Sequence, residues 1–140
     1  MLAKILLVAL VALPVASFAQ SSMEFARMGQ ATWSAFRCST LAALSSDQKE
    51  QDRHFKIGYD NGKRFFAAFD AKKIHPADME SEVPIAIITL MGGPTADFML
   101  GRIFEAAMDS AAKDVLNADR SLQKTLAQSK FASQSCGLLK

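Results

Sequence analysis

His54-Phe55-Lys56-Ile57-Gly58-Tyr59-Asp60-Asn61-Gly62-Lys63-Arg64-Phe65-Phe66-Ala67-Ala68-Phe69 decides the fold class. Wound at 100° per residue, Phe55, Gly58, Tyr59, Gly62, Phe65, Phe66 and Phe69 fall within about a third of the circumference. Asp52, Lys56, Asp60, Lys63 and Arg64 fall opposite. The stripe holds five aromatic rings around two glycines one turn apart. Inside a helix, glycine costs roughly 1 kcal/mol against alanine. Two of them on the apolar face predict that another backbone comes close, from the helix holding Gly29 and Trp33 or the one holding Gly101.

Upstream, Ser45-Ser46-Asp47-Gln48 is a break. A serine or the aspartate caps the stripe helix, and Ser45 with Gln48 forms one capping-box pairing. The short connection makes the preceding helix an antiparallel neighbour. That helix starts at its own capping box, Ser21 with Glu24, and runs to about Leu44. Its stripe is Phe25, Ala26, Gly29, Trp33, Phe36 and Leu44. Cys38 lies off it.

Downstream, the stripe helix ends near Ala71-Lys72-Lys73, where basic residues suit the negative end of the dipole. Ile74 to Asp78 reads as a connection, because the residue before Pro76 avoids helical geometry. Residues 83–91, the most apolar run after the N-terminus, read as a short buried helix, since no second strand exists to pair with them. Gly92-Gly93-Pro94 breaks the chain and Thr95 caps a helix over Ala96 to Leu116. Leu100, Ile103, Phe104, Ala107, Met108, Ala111 and Val115 form its apolar arc. Phe98 and Leu116 fall near the polar side and are candidates for a partner surface. A last helix starts at Asn117 or Asp119, with Leu122 and Leu126 inward. Phe131 to Lys140 is a tail held by Cys136. The fold expected is an all-α bundle of four to five helices with one disulfide.

Residues 1–19 read as a secretory signal peptide: Lys4, the apolar run Ile5 to Leu13, Pro14, then Ser17-Phe18-Ala19. The run is shorter than the ~20 apolar residues of a membrane span. Residues 20–140 then form one helical domain, exported to the bacterial periplasm or beyond, with no membrane span after cleavage. In that compartment Cys38 and Cys136, the only cysteines, are expected to pair.

Without Lys4, fifteen Lys and Arg face fourteen Asp and Glu. A net charge of +1 gives no field to attract nucleic acid. The two histidines, His54 and His75, lack a nucleophile or ligand context. His54, at the edge of the stripe, reads as a surface or half-buried packing residue. No metal ligand set, cofactor motif or catalytic constellation is legible, and the chain reads as non-enzymatic. Two functions compete. One is a helical envelope protein that binds another protein, in an immunity, inhibitor or chaperone-like role. The other is a carrier of a small apolar ligand, which would need a cavity lined by Phe55, Tyr59, Phe66, Phe104 and Met108.

Overall fold

A computed structural model describes residues 20–140; the signal-peptide reading of residues 1–19 lies outside them. Six α-helices follow one another among the described residues: α1 Ser22–Leu44, α2 Gln48–Asp70, α3 Pro76–Glu82, α4 Ile85–Leu90, α5 Ala96–Leu116 and α6 Arg120–Ser133. A 3₁₀ turn, Cys136–Leu138, closes the chain. The all-α bundle and its Cys38–Cys136 disulfide are as the sequence implies, with a Cα–Cα distance of 5.6 Å. The five expected helices are all present. The sixth, α3, occupies part of the expected connection: Pro76 takes its first position, where a missing N–H costs nothing.

The Ser21–Glu24 capping box forms in both directions: the Glu24 N–H donates to Ser21 Oγ, and the Ser21 N–H donates to the Glu24 carboxylate. The second expected box does not form. Asp47 caps α2 by accepting the Glu50 N–H, while Ser45 terminates α1. Three described residues that are not glycine are left-handed, Ser46, Lys72 and Ser135; the first two end α1 and α2. Each completes a Schellman pair of hydrogen bonds, Asp47 to Ala42 with Ser46 to Ala43, and Lys73 to Ala68 with Lys72 to Phe69.

The hub is α1, not the aromatic stripe of α2. It packs against α2, α3, α5, α6 and the C-terminal turn. Every residue from Cys38 to Ala42 is buried, so this turn of α1 is enclosed all round. Thr32 and Thr40 enter the interior by donating to the carbonyls of Met28 and Phe36, one turn back. Two core clusters result. The larger is built on Phe36, Phe65, Phe66, Leu100 and Ile103; the other surrounds the disulfide with Leu41, Ala111, Val115 and Ala127.

Several inward assignments shift. In α6, Leu122 is exposed, Leu126 is half-buried and Ala127 is the residue fully enclosed. In α4 only Ile87 is buried. Met108 of α5 is exposed.

Candidate functional site

Gly58, Gly62, Phe65 and Phe66 of the α2 stripe are buried, whereas Phe55, Tyr59 and Phe69 are exposed. The glycines face both helices named, but what comes close is side chains, not the backbone the sequence led one to expect. A β-carbon at Gly58 would press on Phe36 of α1, and one at Gly62 on Leu100 of α5 and Thr32 of α1. Helices α2 and α5 touch at Gly62 and Leu100, yet each packs mainly on α1. Between them a cleft of about 230 Å³ opens at the surface.

Phe36 of α1 lines the cleft with Phe55 and Tyr59 of α2 and Leu100, Gly101 and Phe104 of α5. The rings brace one another. Phe104 meets Phe36 and Phe55 edge-to-face, each at 5.2 Å between centroids. Phe55 stacks on Tyr59 at 6.3 Å. The expected cavity residues Phe55, Tyr59 and Phe104 are thus brought together; Phe66 and Met108 are not among the lining residues.

Asp97, in the first turn of α5, is the one charged residue lining the cleft among those described. Its Oδ1 accepts from Tyr59 Oη at 2.8 Å and from Lys63 Nζ at 2.9 Å. These two bonds latch α2 to α5. The Lys63 hydrogen bond, then that from Tyr59, holds the Asp97 carboxyl below its usual range. The same contacts push the Tyr59 phenol and the Lys63 ammonium up, in each case chiefly through the hydrogen bond to Asp97.

Phe98 and Leu116 are half exposed, at 50% and 53%. They lie about 27 Å apart along α5, with exposed Arg102, Glu105, Asp109 and Lys113 along the same helix between them, and so form two separate spots rather than one patch. A hollow of about 310 Å³ near Ser45 and Lys124 is roomier than the cleft but is lined mainly by polar side chains.

His54 departs from its sequence reading: it is fully buried. Its Nδ1 and Nε2 each stand 2.8 Å from a carbonyl oxygen, of Glu50 and Cys136 respectively. Phe131 packs edge-on against the ring. Beside it Arg53 donates to the Glu50 carboxylate and to the Leu139 carbonyl. The Arg53 hydrogen bond holds the Glu50 carboxyl below its usual range. This group ties the C-terminal turn to α2. His75 is exposed and caps α3 through its backbone alone.

No three His, Cys, Asp or Glu residues among those described stand close enough to hold a metal ion. No described helix is long and apolar enough to cross a membrane. The disulfide is compatible with an oxidising compartment. Set against known protein families, curated proteins and solved structures, the chain matches none of them.

Proposed function

We propose that this is a non-enzymatic protein of the bacterial envelope that binds another protein through the face shared by α2 and α5. The aromatic cleft carries the reading. At about 230 Å³ it is smaller than the roughly 300–1,000 Å³ of sites that enclose a small ligand. It opens to the surface instead of lying inside the bundle. Its size and lining suit one apolar side chain of a partner, the anchor type of contact that dominates many interfaces. Around it Phe55 and Tyr59 stay exposed, and Lys63 and Asp97 supply a polar border. Phe98 and Leu116 are further exposed apolar spots on α5 that such a partner could cover. The signal-peptide reading supports a meeting in the periplasm or outside the cell.

The test is a pull-down from periplasmic extract with residues 20–140, read by mass spectrometry. A stoichiometric protein partner, lost with the double variant Phe55→Ala, Tyr59→Ala, is the outcome expected. A co-purifying lipid or cofactor without protein would instead establish the carrier.

A further inference from the structure

Gly101 lies inside α5, in ordinary helical geometry that requires no glycine. Nothing stands within 4 Å of where its β-carbon would be. Gly29, Gly58 and Gly62 differ, because a β-carbon at each would press on Phe65, Phe36 or Leu100. Packing therefore explains those three and leaves Gly101 without a structural reason. Gly101 lines the aromatic cleft, so a side chain there would occupy it. The glycine weakens the helix and keeps the cleft open.

We propose that the cleft receives a tryptophan or tyrosine side chain of the partner protein, its ring against Phe55, Tyr59 and Phe104 and its N–H or O–H donating to Asp97 Oδ2. This rests on the protein-binding reading above. The lining apart from Asp97 and the Tyr59 hydroxyl is apolar, which suits a ring. Oδ1 of Asp97 is taken by Tyr59 and Lys63; Oδ2 has no hydrogen bond among the described residues. Lys63 already balances the carboxylate charge. The complement to Oδ2 is thus a neutral donor on an apolar ring and not a further cation, and among side chains indole and phenol combine those properties.

The test titrates N-acetyl-tryptophanamide and N-acetyl-tyrosinamide into ¹⁵N-labelled protein of residues 20–140. Amide resonances of Tyr59, Gly101 and Phe104 should shift. The N1-methylated indole and O-methylated phenol, which cannot donate, should bind roughly tenfold more weakly. Gly101→Leu should abolish the shifts with no fall in Tm, and Asp97→Ala should erase the preference for the donor. Absence of shifts up to the solubility limit, equal binding of the methylated forms, or unchanged binding by Gly101→Leu would each overturn the proposal. A partner captured equally well by Gly101→Leu would also overturn it while leaving the protein-binding reading intact. Mimics that bind as described, with no partner protein captured, would overturn that reading and remove the partner as the source of the ring.

Discussion

Leu100 of α5 occupies the space a side chain on Gly62 of α2 would need: a β-carbon at 62 would fall 2.2 Å from Leu100 Cδ2. The corresponding distance from Gly58 to Phe36 Cδ1 is 2.5 Å, and the Phe36 ring is itself held by Phe55 and Phe104. Overpacking costs about 1–3 kcal/mol, against about 1 kcal/mol gained when alanine replaces helical glycine. Gly58→Ala should therefore lose up to about 2 kcal/mol net, while Gly101→Ala, with open space around it, gains up to about 1 kcal/mol. Urea midpoints followed by Trp33 fluorescence should order as Gly101→Ala, wild type, Gly58→Ala. A Gly58→Ala midpoint raised as far as that of Gly101→Ala would show that α1 and α2 are not in close contact.

Lys72 holds a left-handed φ of 56° at the end of α2. A side chain in that conformation costs on the order of 1–2 kcal/mol, and glycine avoids the cost. Lys72→Gly should raise stability by about 0.5–1 kcal/mol after the entropy of the unfolded glycine is counted. Thermal unfolding with no rise in Tm would contradict this.

Replacing His54 with Phe keeps a ring in place but removes both polar contacts, leaving the Cys136 carbonyl without its imidazole partner. The loss should be about 1–3 kcal/mol. His75→Ala, on the surface, should stay within about 0.5 kcal/mol of wild type. Equal midpoints for the two variants would argue against the burial of His54.

Tyr59 is the only tyrosine of the chain, so phenolate absorbance reports it alone. Its pKa is raised by Asp97, and should lie above the usual value of about 10. Asp97→Asn should bring it back down. A group whose folded pKa is raised stabilises the fold fully below its unfolded pKa, and that stability is lost as pH rises through the folded value. The Tyr59 side of the latch therefore fails in alkali. Asp97, whose pKa is depressed, contributes above the usual carboxylate range and fails as pH falls through its lowered value. An unshifted tyrosine titration would mean that the latch does not persist in solution.

Cys38 and Cys136 are 98 positions apart, and neither is free. A closed loop of that length stabilises by about 2–5 kcal/mol, chiefly by restricting the unfolded chain. Dithiothreitol should lower the urea midpoint accordingly, and the denatured, unreduced protein should show no reactive thiol. Two titratable thiols would refute the link.

Except for α3, helix positions were legible because their ends carry local chemistry. Ser21 with Glu24, Asp47, and Thr95 act on backbone groups within three residues, so neighbouring letters suffice. The hub role of α1 was not legible. Its buried face includes Thr32, Ser39 and Thr40, whose hydroxyls are satisfied by backbone carbonyls, and a stripe of large apolar residues does not register them. Periodicity placed Phe55, Tyr59 and Phe69 inward, but their exposure depends on how the other helices pack against α2, a tertiary relationship that no single helix encodes. The cleft was anticipated only as part of a residue set, and the role of Gly101 emerged from the empty space beside it.

The link from the C-terminal half of α1 to the C-terminal turn closes the chain between two cysteines 98 positions apart into a covalent ring. A protease that cuts once inside that ring, for instance at the exposed residues between α4 and α5, opens it without releasing a fragment. The two pieces stay joined, and α2 and α5 remain tethered to the same α1. Nicked molecules would run as one species without reductant and as two with it. A single clip would thus leave the cleft-bearing helices in one molecule.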